Sequence, residues 1–348
     1  MKRKIKVLIV DDSFLMRKLI KEILEEDPEI KVVGMAKDGF EAIKLIKNLE
    51  PDVITLDYEM PEMNGIELLE KIMKYKPTPC IMVSAYTKEG AEITLEALSR
   101  GAFDFVPKPS GQLSLDIIKV KNELIGKVKA AKDANIKNFR PKEEDFERFK
   151  KRGILGISCV GIASSTGGTV LIEYIIKNLP DDIGVPFFIV QHMPPLFTKK
   201  FAERIREITG KNVKETENNE EVKPNTFYIA KGGVHVFLEK RGNSVYLVHK
   251  EDLPPRNGVK PSADYLFESI AEIYEGKSCA VILTGMGKDG VEGAKEIKKK
   301  GGKVFVQNKE TCLIFGMPKN AIKEKIVDKV LSPGEIVENI LNLRRNCV

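Results

Sequence analysis

The sequence predicts two doubly wound, mostly parallel α/β domains, and three observations carry that prediction. Val- and Ile-rich runs of strand length alternate with apolar residues at helical spacing from the first residues onward. The alternation stops in a charge-dense stretch at 127–153 and resumes beyond it. The 348 residues are also too many for one ordinary domain. Hydrophobic residues at 42% and charged residues at 31% supply enough apolar surface for sizeable cores and exclude wholesale disorder.

The first domain opens with a strand over Ile5 to Val10, followed by Met16, Leu19, Ile20 and Ile23 at helical spacing, which makes a βα unit. The rhythm repeats through Ile30 to Ala36, Val53 to Leu56, Cys80 to Ser84 and Phe103 to Val106, with helical segments between. Five such units predict a five-stranded parallel sheet in a domain spanning 1–125. The charged stretch from Lys127 to Gly153 is poor in strand formers and reads as the tail of a helix and then a linker, taken as 126–153.

The second domain, 154–348, restarts with the strand ILGISCVGIA from Ile154 and a helix after Gly168. The strand VPFFIVQHM, a helix through LFTKKFAERIREI, and a hairpin turning at Gly242-Asn243 come next. The remaining elements are a helix near Ala263 to Tyr274, a strand at Ala280 to Leu283, a helix at Val291 to Lys300, a strand at Lys303 to Gln307 and a closing helix after Pro333.

Composition narrows the function classes. Lys plus Arg at 57 against Asp plus Glu at 51 leaves +6, spread along the chain, so nucleic-acid binding is permitted but not suggested. No helix-turn-helix pattern with a basic recognition helix occurs after residue 154. No apolar stretch approaches the length of a membrane span, and the expected location is the cytoplasm without membrane insertion. Cys80, Cys159, Cys279, Cys312 and Cys347 are far apart, with no Cys-x-x-Cys pair, and read as buried free thiols. Only His192, His235 and His249 are available for histidine chemistry.

In an open parallel sheet the working residues gather at the carboxyl ends of the strands. Asp11 and Asp12 end the first strand and Asp57 ends the third. Three carboxylates at one edge repel one another unless a cation joins them, and hard oxygen ligands favour Mg²⁺. Ser84 ends the fourth strand and Lys108 comes after the fifth, adding a hydroxyl and a fixed positive charge. Such a set is equipped to accept a phosphoryl group on a carboxylate.

The motifs VDDS, TLDYEMPEMNG, MVSAYT and DFVPKP make residues 5 to about 125 resemble the response-regulator receiver family. The resemblance implies a flavodoxin-like receiver in which Asp57 is phosphorylated by a histidine kinase. It also implies that Asp11, Asp12, Asp57 and the backbone of Glu59 hold Mg²⁺ and that Ser84 and Lys108 contact the phosphoryl group. Phe105 stands where that family has an aromatic switch residue.

In the second domain the first strand runs into Ala163-Ser164-Ser165-Thr166-Gly167-Gly168 and a helix. A serine there lies beside the free N–H groups of a helix start, which suits a nucleophile and its oxyanion. His192 ends the next strand and is placed as a general base, while His235 and His249 read as ordinary strand histidines. Asp289 lies in the glycine-rich turn Leu283 to Gly290 and can orient the imidazole, with Asp252 and Asp264 as other candidates for that role. Serine, histidine and aspartate at the ends of different strands form an arrangement for acyl transfer.

The motifs SSTGG, VQHMPPLFTKKFAERI, YIAKGGVHVFL, PPRNGVKPSADYLFESIA and LTGMGKDG make residues 154 to 345 resemble the chemotaxis protein-glutamate methylesterase family. The resemblance implies Ser165, His192 and Asp289 as the triad, the Met286 backbone as an oxyanion donor, and no cofactor in the catalytic domain. It implies hydrolysis of glutamate methyl esters and deamidation of glutamines on methyl-accepting chemoreceptors, for adaptation in chemotaxis. Where the family usually reads Gly-Ala-Ser-Thr-Gly-Gly, this chain has Ser164 before Ser165, and the serine preceding Thr-Gly-Gly is the expected nucleophile. The unphosphorylated receiver is expected to pack over the Ser165 crevice, and phosphorylation at Asp57 to open it. The rival reading is a response regulator whose C-terminal domain acts only by protein binding.

Overall fold

The computed structural model describes residues 3–108, 114–136, 141 and 156–344. Residues 109–113, most of 137–155 and 345–348 lie outside it, and with them Pro109, Cys347 and most of the expected linker. The chain divides into two compact units, Met1–Lys137 and Asn138–Val348.

The first unit alternates β1 (Ile5–Val10), α1 (Phe14–Glu25), β2 (Ile30–Ala36), α2 (Gly39–Leu49), β3 (Val53–Asp57), α3 (Gly65–Tyr75), β4 (Cys80–Ser84), α4 (Lys88–Arg100), β5 (Asp104–Pro107) and α5 (Ser114–Lys132). Its sheet is wholly parallel in the order β2-β1-β3-β4-β5. Strands β3 and β4 are buried at every residue, as a sheet covered by helices on both faces requires. The helices start on side-chain caps: Ser13, Asp38, Asn64 and Thr87 each accept from an N–H of the first turn. Asn64 and Glu67 close a reciprocal capping box, which stops the chain turning before α3 from fraying beside Asp57.

The expected domain boundary at 125 falls inside α5. Val120, Leu124, Val128 and Ala131 are all buried, one apolar stripe at helical spacing that crosses 125 without a break. Lys127, buried on the same helix, donates to Asp104 Oδ1 at 3.1 Å and Glu123 Oε1 at 2.7 Å. Residues 126–132 therefore belong to the first unit, and a linker can begin only beyond Lys132.

The second unit is built on β6 (Cys159–Ser164), α6 (Gly168–Asn178), β7 (Phe187–Gln191), α7 (Phe197–Thr209), β8 (Val213–Glu215), β9 (Glu220–Glu221), β10 (Phe227–Ile229), β11 (His235–Arg241), β12 (Ser244–Lys250), α8 (Ala263–Tyr274), β13 (Ser278–Ile282), α9 (Val291–Lys299), β14 (Lys303–Gln307), α10 (Met317–Lys323), β15 (Lys329–Leu331) and α11 (Pro333–Arg344). Seven parallel strands run in the order β15-β14-β13-β6-β7-β10-β8. The hairpin β11-β12, turning at Gly242 and Asn243, pairs with β9 in a separate antiparallel sheet. Its inner residues Val236, Leu238 and Leu247 join Leu266, Phe267 and Ile270 of α8 in one core, which anchors the hairpin on α8. The sequence pattern does not reveal β8, β9, β10, β15 and α10, none longer than seven residues and too short for periodicity to declare.

Candidate active site

Strands β13, β6 and β7 are neighbours in the second sheet, and the segments beyond their carboxyl ends carry Asp289, Ser165 and His192. The ladder continues past β7, because the His192 N–H donates to the Ser164 carbonyl at 3.1 Å. The Ser165 N–H donates to the Thr284 carbonyl at 3.0 Å, tying the serine to the segment after β13. Gly167, at φ 81, takes the left-handed conformation that turns the chain from Ser165 into α6. Gly285 is required for a different reason: a β-carbon there would lie 2.7 Å from Ser165 Cβ and 2.4 Å from Met317 Sδ.

His192 Nε2 and Asp289 Oδ2 are 2.8 Å apart. A carboxylate accepts only, so Nε2 carries the proton and Nδ1 is the nitrogen left with a lone pair. Asp289 is buried and accepts three further bonds: from the Ala263 N–H at 2.7 Å, from Asn257 Nδ2 at 3.2 Å, and from the Ser262 hydroxyl. Burial works to raise its pKa, but the His192 hydrogen bond and charge, with the Ser262 and Ala263 donors, outweigh it and hold the carboxyl below its ordinary value. Asp264, an alternative partner on sequence grounds, instead accepts from Asn257 Nδ2 at 2.7 Å and the Gly293 N–H at 2.9 Å, and Asp252 is exposed.

The two serines differ. Ser164 is fully buried and its hydroxyl donates to Gln191 Oε1 at 2.6 Å, while Gln191 Nε2 donates to the Ser165 carbonyl at 2.9 Å. Ser165 is half-buried, and its hydroxyl has no hydrogen-bond partner among the described residues. The Met286 N–H likewise donates to no described group, whereas the neighbouring Gly285 N–H is engaged by the Ile314 carbonyl at 3.1 Å. An uncommitted backbone N–H is the kind of donor that can stabilise an oxyanion.

Sequence reasoning missed Ser262, Asn257 and Gln191, whose signal is only their hydrogen bonding. It also took His235 for an ordinary strand residue. His235 Nε2 lies 3.0 Å from the Pro254 carbonyl, and its Nδ1 lies 3.2 Å from the Ser262 N–H. His249 Nε2 is 3.0 Å from Thr216 Oγ1 and does not join this network.

In the first unit, Asp11, Asp12 and Asp57 each bring a carboxylate oxygen within 4.8 Å of the others, which makes them a candidate cation site among the described residues. Lys108 Nζ donates to Asp57 Oδ2 at 2.7 Å and stands 3.9 Å from Asp11 Oδ2. One ammonium among three carboxylates leaves excess negative charge. Burial first, then the Asp57 charge, pushes Asp11 up to about 6 against the pull of Lys108. Burial also raises Asp57, although Lys108 and the Glu59 and Tyr58 N–H groups counter it. For Lys108 burial is outweighed by Asp57, Asp11 and Glu59, and its pKa rises. Asp11 Oδ2 is buried with no hydrogen-bond partner, an orphaned acceptor that a hard cation would satisfy, so these residues fit Mg²⁺. The Ser84 hydroxyl, expected to face a phosphoryl group, donates to the Gly90 carbonyl at 3.2 Å. Phe105 is buried, with Lys127 Nζ 5.1 Å from its ring centroid.

Comparison with known proteins finds a separate family match within each unit. The model of a family described as CheB methylesterase matches residues 160–340, and that of the response regulator receiver domain matches residues 7–118. A protein-glutamate methylesterase/protein-glutamine glutaminase of Methanococcus maripaludis is 45% identical over 98% of each chain. A protein of the same description from Thermotoga maritima is 46% identical over 98% of this chain and 99% of its own. The crystal structure of the Thermotoga maritima CheB methylesterase catalytic domain aligns with a TM-score of 0.53 at 44% identity, covering 54% of this chain and all of that one. Among the described residues no helix is long and apolar enough to cross a membrane.

Proposed function

The chain belongs to the CheB methylesterase family and is a hydrolase of protein glutamate methyl esters and glutamine side chains under a receiver domain, and from that premise we propose that Ser165, His192 and Asp289 carry the reaction. Ser165 Oγ attacks the ester carbonyl carbon while His192 Nδ1 takes its proton. Asp289 holds the Nε2–H side of the ring and stabilises the imidazolium that forms. The Met286 N–H, which donates to no described group, receives the oxyanion. Collapse of the tetrahedral intermediate breaks the bond to methoxide, which leaves as methanol with the proton from Nδ1. A water activated by Nδ1 then cleaves the acyl-enzyme, releasing the glutamate carboxyl and regenerating Ser165. With glutamine, ammonia replaces methanol as the leaving group.

The observation that carries this reading is the His192–Asp289 hydrogen bond, which leaves Nδ1 as the basic nitrogen of a residue whose backbone N–H bonds the strand end just before Ser165. Ser164 is disfavoured as the nucleophile because its buried hydroxyl is already committed to Gln191. The test is methanol release by Ser165→Ala and Ser164→Ala in the full-length protein, with loss of turnover expected in the first only.

The substrates on this reading are methyl-accepting chemoreceptors at their cytoplasmic helices, and the enzyme works in the cytoplasm. Asp57 is the phosphorylation site, charged by a chemotaxis histidine kinase. Asp11, Asp12, Asp57 and the Glu59 backbone would hold Mg²⁺, which supplies charge neutralisation for phosphoryl transfer to a carboxylate. Lys108, already on Asp57, and Ser84, once released from Gly90, are the proposed phosphoryl contacts.

A further inference from the structure

The carboxylate of Asp289 is gripped on both oxygens. Oδ2 accepts from His192 Nε2 at 2.8 Å and the Ala263 N–H at 2.7 Å, and Oδ1 accepts from the Ser262 hydroxyl and, at the longer distance of 3.2 Å, from Asn257. Ser262 Oγ accepts in turn from the Asp264 N–H at 3.3 Å, so its own proton is committed to Asp289. The backbone of Ser262 is held from the hairpin. Its N–H can only donate, so His235 Nδ1 accepts it, and the Pro254 carbonyl can only accept, so His235 Nε2 bears the proton. That leaves His235, fully buried and edge-on to Tyr265 with ring centroids 4.8 Å apart, as a neutral Nε2–H imidazole.

We propose that Ser262 and His235 are positioning residues for the hydrolytic site: His235 fixes the Ser262 backbone, and the Ser262 hydroxyl sets the rotation of the Asp289 carboxylate so that Oδ2 faces His192. Without the hydroxyl, Oδ1 keeps only the long Asn257 bond, and the rotation of the carboxylate that faces Oδ2 to Nε2 rests on the Ala263 N–H alone. The inference rests on reading Ser165, His192 and Asp289 as the hydrolytic residues. A merely structural role is distinguishable, because Ser262 also caps α8: loss of a cap lowers stability but leaves kcat at temperatures below unfolding unchanged.

The test uses the full-length protein, with methanol release from methylated chemoreceptor as one readout. The other is nuclear magnetic resonance of the His192 Nε2 proton and the His235 ring nitrogens. Ser262→Ala should lower kcat by about 10- to 100-fold, the effect of one lost hydrogen bond to a charged group, with KM unchanged and the His192 Nε2 proton resonance displaced. Ser262→Thr, which restores the hydroxyl, should recover most of kcat. If the alanine variant does not fold, Ser262→Gly serves, since glycine is tolerated at a helix N-cap. In the wild type the His235 nitrogen shifts should report protonation at Nε2. Unchanged kcat with an unmoved His192 proton in the hydroxyl-free variant would overturn the role of Ser262, and a His235 proton on Nδ1 would overturn that of His235. A wild-type enzyme releasing no methanol would instead contradict the reading of the site, and the resonances would still decide the relay.

Discussion

Asp289 Oδ2 accepts a 2.8 Å hydrogen bond from His192 Nε2 although the two residues stand 97 positions apart in the chain. The bond determines which imidazole nitrogen is basic. Asp289→Asn presents an amide whose N–H can face Nε2 and force the proton onto Nδ1, where it blocks acceptance from Ser165. We expect kcat to fall by about 10³- to 10⁴-fold with little change in KM, measured as methanol release at saturating substrate.

The same carboxyl links pH to stability. Its native pKa lies below the ordinary value, despite burial, because His192, Ser262 and Ala263 favour the charged form. The unfolded chain therefore binds the proton more readily. The stabilisation is complete above the unfolded value of about 4 and is lost as pH falls through the lower native value. The gap in Tm between wild type and Asp289→Asn should be constant near neutrality and shrink on acidification below about pH 4. A gap that widens there would contradict the assignment.

Gly285 stands where a β-carbon would strike Ser165 Cβ and Met317 Sδ. Gly285→Ala should displace the serine and lower kcat, with a stability loss of about 1–3 kcal/mol from overpacking. Thermal unfolding and initial rates measured on one preparation check both effects.

In the receiver unit, Asp11 is the carboxylate most disfavoured as an anion, pushed up to about 6 by burial and by Asp57. A raised native pKa means stability that is present below the unfolded value and is lost as pH rises through about 6. Asp11→Asn should therefore raise the Tm of the receiver unit at neutral pH in chelator, and Mg²⁺ should stabilise the wild type more than the variant. Equal Mg²⁺ stabilisation of the two would remove Asp11 from the metal site.

Asp57→Asn should abolish stimulation of methanol release by a small phosphodonor while leaving the unstimulated rate within about twofold, because Asp57 lies outside the hydrolytic unit. Retained stimulation would move the phosphorylation site elsewhere.

The strand-end residues were legible in the sequence because a parallel sheet brings the carboxyl ends of neighbouring strands together. His192 and Asp289 meet as their positions after β7 and before α9 imply, and Asp11, Asp12 and Asp57 cluster for the same reason. Hydrogen bonding off the strands was not legible. Nothing in the run Pro261-Ser262-Ala263 declares that its hydroxyl serves Asp289, and nothing in an alternating hairpin marks His235 as the residue holding Ser262. The far end of α5 was hard to place because charged neighbours surround the Val120, Leu124, Val128 and Ala131 stripe.

Methanol release by full-length Ser165→Ala beside Ser164→Ala tests the assignment of the nucleophile most directly. Ser165→Ala should lose at least about 10⁴-fold in kcat, as loss of a serine nucleophile does. Ser164→Ala should keep activity within about tenfold, its penalty being the bond to Gln191. Turnover retained by Ser165→Ala and lost in Ser164→Ala would contradict the assignment.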